Sequence, residues 1–239
     1  MKIMPVFFKN MDIVVPGDLV AEGNYRIIEG AYRVGQKIFS RVVGVIYVRE
    51  KSIKIVPLEG NYYIPKVGDH VIGKIVDYNP VSWQVDIRAP YLAKLDASDF
   101  LGRPLDPAKE DITRFLNVGD LIFAKVASAD RASIPTLIAK GSNLGKITGG
   151  KIIAISPQKV PRVVGRNQSM IKLLQELTKA TIRVGDNGLI WIRAKNKQVE
   201  NIVVRAIKKI ERESHVPKLT DRIRDFITEE LKKIEGEEK

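Results

Sequence analysis

From Ile13 to Lys140 the chain alternates apolar and polar positions in short runs, and a glycine turn introduces each run. The turns are Pro16-Gly17-Asp18-Leu19-Val20, Val34-Gly35-Gln36-Lys37-Ile38, Val67-Gly68-Asp69-His70-Val71 and Val118-Gly119-Asp120-Leu121-Ile122. Glycine permits the tight turn, and the β-branched residues that follow suit a pleated, half-buried strand. The pattern predicts strands over 41–48, 52–58, 70–78, 83–89, 121–129 and 136–140. Short strands at this spacing close into small barrels.

After Gly149-Gly150 the period changes. A strand is predicted over 151–155, a short helix over 158–164, a loop at Gly165, a helix over 168–179, strands over 180–185 and 188–194, and then a long helix. Val199, Ile202, Val203, Ala206, Ile207 and Ile210 recur at steps of three and four, so one stripe of the long helix packs on a sheet while Lys197, Arg205, Lys208 and Arg212 stay wet. A last helix is predicted from Thr220 as N-cap, with Asp221 in its first turn and Ile223, Phe226, Ile227, Leu231 and Ile234 on one side, to pack back or to meet a partner. Composition shifts divide the chain into 1–65, 66–147, 148–215 and 216–239.

Charge separates these segments further. The 239 residues carry a net charge of +12, and residues 151–210 hold thirteen Lys and Arg against three Asp and Glu. A basic field confined to one segment suits an anionic partner such as nucleic acid; a solvated surface rich in Lys, Arg and Glu would give the same count. With no Cys and only two His (His70 and His215), thiol catalysis, disulfides and thiolate or imidazole metal cages are excluded, and no cofactor is expected. No apolar run approaches the roughly 18 residues of a membrane span, so the chain reads as soluble and cytoplasmic.

Three blocks, Val67-Gly68-Asp69-His70-Val71-Ile72-Gly73-Lys74-Ile75, Val85-Asp86-Ile87 and Val118-Gly119-Asp120-Leu121-Ile122-Phe123-Ala124-Lys125-Val126, resemble the S1-type oligonucleotide-binding barrel. The resemblance implies a five-stranded barrel that binds single-stranded RNA, cations following the phosphates while rings stack on bases. Tyr78, Trp83 and Tyr91 are the candidate rings, with Arg88, Lys94, Lys125 and Arg131 as the cations. Such domains often carry an aromatic before the Val-Asp-Ile strand and a later histidine, where this chain has Gln84 and Asp96. A barrel used only for packing, with Trp83 and Tyr91 half buried, is the alternative.

Residues 148–213, with Val160-Pro161-Arg162-Val163-Val164-Gly165-Arg166-Asn167-Gln168-Ser169-Met170-Ile171-Lys172, resemble a type I KH domain, ordered strand, helix, helix, strand, strand, helix. Its Gly-x-x-Gly loop brings backbone close to nucleic acid. Here Gln168 replaces the second glycine, which predicts an obstructed clamp without easy access to positive φ, leaving Arg162, Arg166 and Lys172 to attract phosphate without the usual base-reading groove. Gly185-Asp186-Asn187-Gly188 lies between the last two strands, where Asn-Gly signals a hairpin and a structural role.

That Gly-x-Asn-Gly turn, followed by Leu189-Ile190-Trp191-Ile192, together with Val14-Val15-Pro16-Gly17-Asp18, Glu29-Gly30-Ala31-Tyr32 and Pro57-Leu58-Glu59-Gly60-Asn61-Tyr62-Tyr63-Ile64-Pro65, is similar to the ribosomal RNA-processing protein four family, the RNA-binding cap of the archaeal exosome. The resemblance implies a multidomain β and α+β chain: a β-rich ring-docking domain, the S1-type barrel, the KH domain and a C-terminal helix. It further implies a non-catalytic subunit, three copies on a hexameric ring of ribonuclease PH-like subunits, feeding RNA 3′ ends to that ring for degradation and tailing. Arg88, Lys94 and Arg131 would then touch RNA at the entrance, with Arg162, Arg166 and Lys172 further out. A translation or ribosome-associated RNA-binding factor is the competing reading, and a nuclease using Asp86, Asp96 and Asp99 as metal ligands a more distant one.

Overall fold

The computed structural model describes residues 5–57, 63–130, 133–214, 216 and 218–237, with residues 235–237 as backbone alone. Two compact units emerge, divided after Gly60.

The first unit is built of seven short strands: β1 (Ile13–Val14), β2 (Leu19–Glu22), β3 (Arg26–Glu29), β4 (Ala31–Val34), β5 (Lys37–Ser40), β6 (Gly44–Arg49) and β7 (Ser52–Pro57). They form one sheet in the order β1-β6-β7-β3 and another in the order β2-β5-β4. Period-two alternation sends Ile46, Ile53 and Ile55 inward to meet Val14, Val20 and Ile38. Phe7, Met11, Ile13, Val15 and Val43 remain exposed.

In the second unit the barrel comes first. Its strands are β8 (His70–Asn79), β9 (Ser82–Asp86), β10 (Ala93–Asp96), β11 (Leu121–Ser128), β12 (Thr136–Ile138) and β13 (Gly145–Ile147), with a short helix α1 (Ala97–Leu101) after β10. β8 pairs with both β9 and β11, and β12 pairs with both β10 and β11, which closes five strands; β13 adds to the free side of β11. Val71, Ile75, Val85, Leu95, Ile122, Val126 and Leu137 fill the inside. β10 and β13 fall outside the strands expected from the sequence, and the strand expected over 83–89 runs only to Asp86.

The recurring Gly-Asp turns have one structural basis. In each, the aspartate accepts a hydrogen bond from the backbone three residues earlier: Val15 N to Asp18 at 2.8 Å, Lys66 N to Asp69 at 3.2 Å and Asn117 N to Asp120 at 2.9 Å. The glycine N–H donates to a facing strand, to Ser40, Val126 and Ile75 respectively, and that same facing residue donates back to the aspartate carbonyl. The three glycines sit at φ 93°, 96° and 97°, a region that disfavours side chains. Each turn therefore closes itself and docks on a neighbouring strand. The Val34-Gly35 turn lacks the aspartate and simply joins β4 to β5.

The rest of the unit comprises β14 (Lys151–Ala154), α2 (Val160–Val164), α3 (Ser169–Thr178), β15 (Thr181–Val184), β16 (Leu189–Arg193), α4 (Lys197–Arg212) and α5 (Leu219–Glu237). The sheet order is β14-β16-β15. Asn196 caps α4 by accepting from Val199 N at 2.8 Å. Val163, Leu174, Ile190, Ile192, Ile202, Val203 and Ile207 form one core, and Ile223 and Ile227 of α5 complete it. Helix α5 thus packs back onto the domain, starting at Leu219 with Thr220 inside its first turn instead of capping it. Arg222 to Glu213 at 2.9 Å, and Arg205 to Glu230, tie it to its neighbours. Among the described residues no helix is long and apolar enough to cross a membrane.

Candidate nucleic-acid interface

The barrel and the α+β domain are joined by the hairpin turn between β15 and β16. Asp186 N donates to His70 O at 2.7 Å, and His70 N donates to Asp186 Oδ2 at 2.8 Å. Asn187 is fully buried: its Nδ2 donates to Ile72 O at 2.7 Å and to Ile87 O at 2.9 Å, and Ile72 N approaches its Oδ1 at 3.4 Å. A Cβ on Gly185 would lie 2.4 Å from Asn187 Oδ1 and 3.0 Å from Ile72 N, and one on Gly188 would lie 2.4 Å from Ile155 O. Both glycines are needed because the turn is pressed against its neighbours on every side. Burial pushes the Asp186 carboxyl up from the usual aspartate range, the His70 N–H pulls it back, and the nearby Asp69 charge adds to the rise.

Beside this turn runs a stack of flat groups. His70 lies over Phe123 with centroids 5.8 Å apart and planes 18° apart, and the Arg183 guanidinium sits 5.8 Å from Phe123 and 5.3 Å from Trp191. Ile72, Phe123, Ile147 and Trp191 are buried together, so one face of the β14-β16-β15 sheet seals onto the outside of β8 and β11. The two folds consequently present their surfaces in a fixed relation.

The aromatic candidates divide sharply. Tyr78 and Tyr91 are 45% and 47% exposed, whereas Trp83 is 0% exposed. Trp83 Nε1 donates to Leu116 O at 3.0 Å, and its ring packs edge-on to Phe100 at 5.5 Å. The expectation that Trp83 stacks on a base is therefore corrected: its indole is a core group with its polar atom already satisfied.

The cations divide as well. Lys94 is paired with Asp96 at 2.8 Å. Arg88 is half-buried at φ 59°, with its N–H held by Asp86 Oδ1 at 2.7 Å and its Nη1 without a hydrogen-bond partner. Lys125 is exposed on β11 directly opposite His70. Arg162, Arg166 and Lys172 are exposed on α2, the following loop and α3. None of Lys125, Arg162, Arg166 and Lys172 has a carboxylate partner among the described residues. Arg131 lies outside the described residues.

Around Gly165 the structure departs from expectation. Gly165 holds φ 74° and ψ 169°, a conformation open essentially to glycine alone. Asn167 and Gln168 follow at φ 50° and 63°, so Gln168 keeps the left-handed backbone despite its side chain. The obstruction expected there does not materialise, because that side chain is exposed. A groove of about 420 Å³ is also present, lined by Gln168, Ile171, Gln175, Ile182 and Arg183 and reaching Phe123 of the barrel. Its apolar floor and amide rim could take a flat, hydrogen-bonding group such as a base. Sequence reasoning missed Arg183 and Phe123, whose only signal was alternation along strands in two separate folds. The acids Asp86 and Asp96 are engaged by Arg88 N and Lys94, and among the described residues no group of three or more His, Asp or Glu could hold a metal ion.

Comparison with known proteins covers the chain from end to end. Residues 11–59 match the exosome RNA binding protein RRP4 N-terminal domain, residues 63–146 the S1 domain of exosome complex component RRP40, and residues 150–211 the KH domain. Exosome complex component Rrp4 of Sulfurisphaera tokodaii is 46% identical over 228 residues, covering 95% of this chain and 92% of that protein. The Pyrococcus horikoshii protein of the same name is 44% identical over 231 residues, covering 96% and 87%. A crystal structure assigned to an exosome complex RNA-binding protein superimposes with a TM-score of 0.67 at 47% identity, covering 72% of this chain and 98% of that one. With all three domains matched in order and identity sustained along the whole length, the chain belongs to the Rrp4 family of exosome complex components.

Proposed function

We propose that this protein is a non-catalytic, RNA-binding cap subunit of an archaeal exosome, acting in the cytoplasm. It gathers single-stranded RNA and passes 3′ ends to a hexameric phosphorolytic ring of ribonuclease PH-like subunits for degradation and tailing. The observation that carries this reading is the set of exposed, acid-free cations Lys125, Arg162, Arg166 and Lys172, held on two RNA-binding folds that are locked together through Asn187. Unpaired cations on a rigid support suit a polyanion gripped by charge and not by sequence. Weak contacts of this kind permit movement along the strand, and three copies around one entrance would raise the local RNA concentration without a tight site. The exposed Phe7, Met11, Ile13, Val15 and Val43 of the N-terminal unit support its role as the ring-docking part.

The test is reconstitution. Purified ring should degrade a labelled, unstructured RNA faster with this protein than without it, and the two should co-purify. Co-sedimentation with ribosomes and no association with the ring would favour the translation-factor reading instead.

A further inference from the structure

The basic segment and the C-terminal helix together build a site that neither shows alone. Where α5 begins, it faces α2, the Gly165–Gln168 loop and the start of α3 across a cleft of about 580 Å³. Arg162, Arg166, Ser169, Lys218 and Thr220 supply its polar lining, and no carboxylate lines it. Among the described residues, Arg162, Arg166 and Lys218 have no ion-pair partner, and the Ser169 and Thr220 hydroxyls make no hydrogen bond.

The surroundings make this selective. Residues 211–239 hold more acids than bases, so neutralising partners are at hand. Yet Glu213 is taken by Lys209 and Arg222, Glu230 by Arg205 and Lys233, and Glu211 by Lys208. Asp221, next to the lining, faces Arg224 at 3.8 Å. The carboxylates are spent elsewhere and the cleft keeps three positive charges. Gly165 contributes by its missing side chain, since a Cβ there would lie 2.8 Å from both Ser169 Oγ and Met170 N.

We propose that this cleft binds a phosphate group of the RNA strand, with Arg162 and Arg166 as planar forks, Lys218 as a point charge, and Ser169 and Thr220 as hydroxyl donors. The cleft lies on the Arg166 side of the loop and the groove reaching Phe123 on the Gln168 side, so one short loop separates a phosphate site from a base-sized groove. The site depends on the C-terminal helix, which lies beyond the matched KH segment ending at residue 211. It rests on the RNA-binding reading only for the source of the phosphate.

The experiment measures binding of a fluorescent single-stranded oligoadenylate to the full chain by anisotropy, across a salt series, for wild type, Lys218→Gln, Thr220→Val and the control Lys232→Ala, which lies further along α5. One lost phosphate contact on a single strand removes about 0.7 from the salt slope, which at 0.1 M salt is about fivefold in affinity. Lys218→Gln should show that loss with an unchanged melting temperature, Thr220→Val should weaken binding in the same direction, and Lys232→Ala should match wild type. Inorganic phosphate should compete with the oligonucleotide for wild type and less so for Lys218→Gln. Wild-type affinity in Lys218→Gln, alongside weakened binding in Lys125→Ala, would overturn the cleft and leave RNA binding intact. If wild type ignores the oligonucleotide but takes up inorganic phosphate in a Lys218-dependent way, the strand as phosphate source is overturned. Uptake of neither would overturn the site altogether.

Discussion

Truncation of Asn187 to alanine strikes the joint between the two RNA-binding folds. The Asn187 amide donates two good hydrogen bonds, to Ile72 O at 2.7 Å and Ile87 O at 2.9 Å, and all three residues are fully buried. Alanine would leave two carbonyls without a donor in a place water does not reach. An unsatisfied buried group costs about 1–3 kcal/mol, so the pair should cost about 3 kcal/mol. For a unit of this size that is a fall of about 6–12 °C in melting temperature. Differential scanning calorimetry gives the fall, and hydrogen exchange at His70 to Ile75 locates it, since β8 carries the docked edge. Asn187→Asp keeps the size but turns an acceptor towards both carbonyls, and should be at least as damaging. A loss below about 1 kcal/mol with unchanged exchange along β8 would refute the view that this amide holds the domains together.

Asp186 adds a pH dependence whose sign is fixed. Its carboxyl is raised in the folded state, so the stabilisation is complete below the ordinary aspartate range and is lost as pH rises through the folded value. Subtracting the melting profile of Asp186→Asn from that of wild type should isolate this decline; a flat difference would contradict it. Trp83 and Tyr78 should part company: Trp83→Ala should cost about 3–5 kcal/mol as a core cavity. Tyr78→Ala should leave the melting temperature alone and weaken RNA binding by about 1–3 kcal/mol if a base stacks there, read by anisotropy. Removing charge at Arg88 and Arg131 together should weaken binding across all RNA sequences alike, and unchanged affinity would exclude them from the RNA path.

Much of the fold was legible because its signals are local. An aspartate that closes its own turn three residues back needs no distant partner, so the Gly-Asp motifs at 17–18, 68–69 and 119–120 marked strand starts directly. The stripe from Val199 to Ile210 did the same for α4. Strand β10 is only four residues long and β13 three, too short for alternation to stand out. Trp83 was misread because a tryptophan on an alternating strand looks the same whether its ring faces a base or the core; the Leu116 carbonyl that settles it lies 33 residues away. Asn187 was recognisable as a turn residue, but its partners Ile72 and Ile87 are 115 and 100 residues away. Lys218 and Thr220 gave no sequence signal, since their meaning depends on α5 folding back towards Arg162 and Arg166.

The central claim is that unpaired cations on the joined barrel and KH folds hold RNA by its phosphates. The salt dependence of RNA affinity for the full chain tests it most directly. Four contacts, from Lys125, Arg162, Arg166 and Lys172, predict a logarithmic slope of about −3, or about fiftyfold weaker binding at 200 mM than at 50 mM salt. Binding that is absent, or that stays constant across that range, would contradict the account.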